Sequence, residues 1–133
     1  MTDIFNEIYT EIATSVRTEF PGVFVTGIRL PKPPVFPCVM ITEADNYEDY
    51  GSIDNTLTER ITNLMYEITV YSNLESGKRE QCISILSHID GLLKTKNFNR
   101  IARAESYFDS EATIYAVLAR YRVKTDGTYL YTF

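Results

Sequence analysis

Apolar residues recur at every third or fourth position along the first twenty. Ile4, Ile8, Ile12 and Val16 form one row and Phe5, Tyr9 and Ala13 the next, which makes an apolar stripe of helical period. Thr2 or Asp3 is placed to cap this helix, and Pro21-Gly22 stops it. Val23 to Leu30 alternates weakly and reads as a strand broken by Gly27. Pro31, Pro33, Pro34 and Pro37 then exclude regular hydrogen-bonded structure, so this stretch reads as a rigid connector. Cys38 to Thr42 is a short apolar strand. From Arg60 the period becomes two: Leu64, Tyr66, Ile68 and Val70 share one face, and Met65, Glu67, Thr69 and Tyr71 the other. The expected object is a long hairpin from 38 to 72 whose tip is acidic.

A second helix is expected from Glu75 or Ser76 through Lys94. Cys82, Ile85, Leu86, Ile89, Leu92 and Leu93 lie on one side, with Arg79, Ser84, Ser87 and Asp90 away from it. Ile101 to Phe108 is a strand, Asp109-Ser110-Glu111 a turn, and Ala112 to Val123 the longest strand, with Tyr115, Val117, Ala119, Tyr121 and Val123 on one face. Tyr129, Tyr131 and Phe133 stand at strand spacing in the tail. The order α-β-β-β-α-β-β predicts an α+β fold of one domain spanning 1–133. In it two helices pack on one face of a mixed, mostly antiparallel sheet. The predicted core includes Ile8, Ile12, Val16, Ile68, Val70, Ile85, Leu86 and Ile89. The other sheet face is left to solvent or to another chain, and Tyr71, Tyr115 and Tyr121 are candidates for it.

Composition changes the picture in two ways. Hydrophobic residues make up 44% of the 133, enough for a two-layer core. The formal charge is −5 with a pI near 4.9, which argues against wholesale electrostatic binding to nucleic acid or anionic lipid. The first residues lack the pattern of a signal peptide, and no apolar stretch approaches bilayer length, so the expected site of synthesis is the cytoplasm. Cys38 and Cys82 both fall in apolar patterns and read as small buried hydrophobes.

The charges are unevenly placed. Glu43 to Glu59 holds Glu43, Asp45, Glu48, Asp49, Asp54 and Glu59 without a lysine or arginine. Lys94, Lys96, Arg100 and Arg103 form the one basic cluster, around Phe98. That cluster has three readings: a nucleic-acid contact, a solvated helix end, or a partner for the acidic tip of a neighbouring copy. The third makes Glu48, Asp49, Asp54, Glu59, Lys96, Arg100 and Arg103 an oligomer interface.

No catalytic, cofactor or metal pattern is laid over these elements. His88 is the single histidine and sits inside the second helix, without a nucleophile motif such as Gly-x-Ser-x-Gly. The glycines do not form a phosphate cradle, and Asp45 to Asp54 lacks the spacing of a calcium loop. The expectation is a protein that is not an enzyme and carries no cofactor. A small α/β ligand-binding module is the reading from a different class, and it would need a pocket of convergent polar groups.

Four stretches carry a likeness. They are Tyr66-Glu67-Ile68-Thr69-Val70-Tyr71-Ser72-Asn73, Ile89-Asp90-Gly91-Leu92-Leu93, the corner Asn97-Phe98-Asn99-Arg100, and Ile114-Tyr115-Ala116-Val117-Leu118-Ala119-Arg120-Tyr121. Together they resemble the tail terminator, or tail-completion, proteins of long-tailed bacteriophages, over about the last half of the chain. The resemblance implies a homo-oligomeric ring, usually hexameric, at the head–tail junction of a virion. Such a ring ends polymerisation of the tail tube protein and docks the head connector or head-closure protein. DNA passes through the lumen, and no membrane takes part. Six copies at −5 each would carry about −30, which suits a lumen through which phosphate slides. Another head–tail joining component, a head-closure or minor capsid protein, has the same size and acidity and is the alternative.

Overall fold

The computed structural model describes residues 4–48, 61–126 and 130–131. Helix α1 spans Phe5–Glu19, β1 Phe24–Thr26, β2 Cys38–Glu48 and β3 Thr62–Ser72. Helix α2 spans Lys78–Thr95, β4 Asn99–Tyr107, β5 Tyr115–Thr125 and β6 Leu130–Tyr131. The strands form one sheet in the order β1-β2-β3-β5-β4, with β6 paired to the end of β5. β1 runs parallel to β2 and every other pairing is antiparallel. This is the α+β arrangement that the element order predicts.

The alternation in β3 and β5 decides which face is covered. Leu64, Tyr66, Ile68 and Val70 join Val117, Ala119, Tyr121 and Val123 in a single apolar cluster. Helix α1 adds Ile8, Ile12 and Val16, and α2 adds Ile85, Leu86 and Ile89, all buried. The helices lie over this one face because both stripes need an apolar partner and the sheet offers one. Two shared polar contacts also hold α1 in place. Ser15 Oγ and His88 Nε2 meet at 2.7 Å between the helices, and Tyr9 donates to the Val25 carbonyl at 3.1 Å. His88 is therefore a bonded helix–helix contact.

Local backbone chemistry sets the boundaries. Helix α1 ends at Glu19, where the Phe20 N–H donates to Val16 O and Gly22 at φ 91° turns the chain away, and its first cap position is Ile4, which makes no side-chain cap bond. The expected caps Thr2 and Asp3 lie outside the described residues. Helix α2 starts at Lys78 instead of Glu75 or Ser76, after Gly77 in the left-handed region at φ 86°. It closes in a Schellman turn: Asn97 takes φ 69°, its N–H donates to Lys94 O, and Phe98 N–H donates to Leu93 O. That turn drives the Phe98 ring into the core, 5.7 Å from the Tyr66 ring.

Two strands depart from expectation. β1 covers only three residues and stops before Gly27, where the chain passes α1 so closely that a Cβ would stand 3.3 Å from the Phe5 ring. β2 runs on to Glu48, well beyond Thr42. Glu43 to Glu48 has no apolar alternation, yet its backbone pairs with Thr62 to Tyr66 across a bulge at Glu43/Asp45. The hairpin of β2 and β3 is thus described on both arms, and its expected acidic tip, with Asp49, Asp54 and Glu59, lies outside the described residues.

Candidate functional site

The helices leave the second face of the sheet largely uncovered. By register that face carries Met65, Glu67, Thr69 and Tyr71 of β3, Ala116, Leu118, Arg120, Arg122 and Lys124 of β5, and Ala102, Ala104 and Ser106 of β4. Cys38 and Met40 of β2 share it but are buried. The chain between β1 and β2 passes this side, and its Arg29 reaches Glu67 Oε1 at 3.0 Å. Arg120 donates to Glu67 Oε2, also at 3.0 Å. The Glu67 side chain is only 6% exposed, while Arg29 and Arg120 remain 71% and 48% exposed. A nearly buried carboxylate thus holds two guanidiniums whose remaining donors face solvent.

Beside this trio the surface is concave. A groove of about 300 Å³ is lined by Arg29, Glu67, Thr69, Tyr71, Tyr107, Phe108 and Leu118. Small residues make its floor: Ala104, Ser106 and Ala116 lie across neighbouring strands. Tyr71 and Phe108 meet edge to face at 5.3 Å and form one wall. This groove is not where the tyrosines were all expected. Tyr71 is on the uncovered face, but Tyr121 is fully buried under α2 and Tyr115 is on the same, helix-covered side. Both belong to the alternate register of β5, which points into the core.

The basic cluster of the sequence is divided among partners of its own chain. Lys94 bonds Asp90 at 2.8 Å, and Arg100 approaches the same carboxylate at 3.7 Å. Lys96 pairs with Glu11 of α1. Arg103 pairs with Glu105 at 2.5 Å, and Arg79 of α2 reaches Glu105 from the other side at 2.6 Å. The bonds from Arg79, Arg103 and Tyr115 hold the Glu105 carboxyl down at about 2. Of the expected acidic partners, Glu48 closes β2 opposite Thr62, and Asp49, Asp54 and Glu59 are outside the described residues.

Asp90 is the residue that helical spacing misplaced. Expected to point away, its side chain is 14% exposed and accepts from the Tyr121 hydroxyl at 2.7 Å. Burial alone would raise its carboxyl, but the bonds from Lys94 and Tyr121 outweigh that and leave it below its ordinary value. The cations of the uncovered face did have a signal in the sequence. Arg120, Arg122 and Lys124 stand two apart, so once Tyr121 and Val123 are placed inward the three must point outward.

Among the described residues no three His, Cys, Asp or Glu side chains are gathered as metal ligands would be, and no helix is long and apolar enough to cross a membrane. Both thiols are buried, which pushes Cys38 up to about 11 and Cys82 up to about 12. Comparison of the chain with models of known protein families finds no match, and comparison with curated protein sequences finds none either.

Proposed function

We propose that this chain is a ring-forming structural protein of the tail terminator kind, which ends tail-tube polymerisation and joins the tail to the head connector. The observation that carries this reading is the unequal treatment of the two sheet faces. One is closed under α1 and α2, and the other keeps a groove flanked by arginines and aromatic rings. A groove that takes a different patch of a neighbouring copy makes a head-to-tail contact, and such contacts close into a ring when the rotation allows. The resemblance of the β3, α2 and β5 sequences to tail terminator proteins supports the same assignment.

On this reading the partners are further copies of the chain, the tail tube protein and the connector or head-closure protein. DNA is cargo in the lumen, the working location is the head–tail junction of a virion, and no cofactor or enzymatic step is needed. The test is the mass of the purified chain in solution together with negative-stain images. The expected result is a closed oligomer, six copies by the resemblance, with a central hole. A monomer at every concentration, or an open filament, overturns the reading. A closed ring that binds capsid portal but not tail tube assigns the chain to the head-closure side instead.

A further inference from the structure

The groove on the uncovered sheet face has a polarity that points to one occupant. Its rim is cationic: Arg29 and Arg120 share the single carboxylate of Glu67, and Arg122 and Lys124 continue the same side of β5. Its floor is small and its walls are aromatic. An occupant must therefore bring carboxylates and a few apolar side chains close together in sequence. The chain contains such a run beyond β2: residues 49–59 carry Asp49, Asp54 and Glu59 and no cation, with Tyr50, Ile53 and Leu57 among them.

We propose that the groove lined by Arg29, Thr69, Tyr71, Ala104 and Phe108 receives the acidic stretch 49–59 of a second copy. The proposal rests on the ring reading and names its subunit contact. In its own subunit the stretch leaves the sheet at Glu48 and re-enters at Thr62. Tyr71, on the groove wall, lies nine residues further along β3, roughly 30 Å away at strand rise. A neighbour's stretch reaches the groove without that reversal. The basic corner at Lys94, Lys96, Arg100 and Arg103 pairs its cations with acids of its own chain just as the groove does, but the groove adds the edge-to-face pair Tyr71–Phe108 and a floor of small residues for apolar side chains. Exposed ion pairs are individually weak, so the rings and the floor supply most of the hold and the arginines set register and on-rate.

The experiment uses two full-length variants. The groove variant Ala104→Glu puts a carboxylate on the exposed floor, with Ala104→Ser as its conservative control and Ser106→Glu as a second version should the first fail to fold. The arm variant combines Asp49→Asn, Asp54→Asn and Glu59→Gln. Self-association is read by sedimentation velocity, with circular dichroism to confirm folding. Each variant alone should associate about tenfold more weakly than the parent, or worse. Mixed, they should form a one-to-one pair that grows no further, since an intact arm then meets an intact groove only once. If the parent forms rings and the groove variants do so equally well, the groove is not the contact and the ring reading stands. If the parent stays monomeric, the ring reading and this contact fail together. If a DNA oligonucleotide binds the parent and loses binding on Ala104→Glu while self-association is unchanged, the groove is a nucleic-acid surface and the proposal is wrong.

Discussion

The Tyr121 hydroxyl on β5 donates to Asp90 Oδ1 on α2 at 2.7 Å, a bond between the last long strand and the second helix, at the edge of the apolar core. Burial first, and then the neighbouring carboxylate, hold that hydroxyl well above the usual tyrosine range. Tyr121→Phe removes a bond to a charged acceptor and should cost about 1.5 kcal/mol. Asp90→Ala strands the hydroxyl and releases Lys94 and Arg100 as well, so it should cost more, about 2–3 kcal/mol. Urea denaturation of both variants measures the order. If Asp90→Ala proves the milder of the two, the carboxylate is not the group that satisfies Tyr121.

Ile85 is 1% exposed on the face of α2 that meets the sheet. Ile85→Asp either buries an unpaired charge or forces the helix off the sheet, at a cost of roughly 3 kcal/mol or more. Ile101, 40% exposed on β4, provides the comparison, since Ile101→Asp should stay within about 1 kcal/mol of the parent. Equal losses at the two positions would contradict the assignment of the core to the helix side.

Glu105 links stability to acid. Its carboxyl is held down at about 2 in the folded chain by Arg79, Arg103 and Tyr115, against an ordinary value of 4.5. A depressed carboxylate stabilises fully above its unfolded value, and that stability is lost as pH falls through its folded value. The contribution should therefore be complete above about pH 4.5 and decline between pH 4.5 and pH 2. Arg79→Met should flatten this part of the curve, measured as the urea midpoint against pH. An unchanged acid limb in Arg79→Met would show that other carboxylates dominate the transition.

Cys38 and Cys82 are both fully buried, and Cys82 Sγ donates weakly to the Val70 carbonyl at 3.4 Å. A thiol reacts as its thiolate, and burial keeps both well protonated at pH 8. A thiol-specific reagent should label neither in the native protein within the time that urea-unfolded chain gives full labelling. Prompt labelling of the folded protein would mean that one thiol is reached without unfolding.

Periodicity exposed the parts of the fold that obey it. The stripe Ile8, Ile12, Val16 and the alternation Leu64, Tyr66, Ile68, Val70 each had one face to bury, and burial leaves a regular trace in sequence. Glu43 to Glu48 left no such trace, because it joins the sheet through backbone pairing around a bulge and has no apolar alternation. Asp90 was missed for a related reason: helical spacing gives a direction, but a carboxylate near the boundary turns toward whichever hydroxyl or cation the next layer brings. The groove was half legible. The spacing of Arg120, Arg122 and Lys124 marked an outward face, but nothing local announced that Arg29 and Arg120 would converge on Glu67, 38 and 53 residues away.

Among the described residues the two edges of this sheet are unequal, and that bears on how copies can go wrong. β4 offers nine residues at one edge, whereas β1 offers three at the other, with Pro31, Pro33, Pro34 and Pro37 in the chain that follows it. An edge strand is a template for any chain able to extend it, and short strands and prolines blunt that template. Beyond Met40, β2 runs on to Glu48 with no strand on its outer side among the described residues, so this edge is short only where β1 lies. The prolines and the three-residue strand guard one end of it, and the carboxylates of Glu43, Asp45 and Glu48 guard the rest, since like charges on two copies paired there would repel.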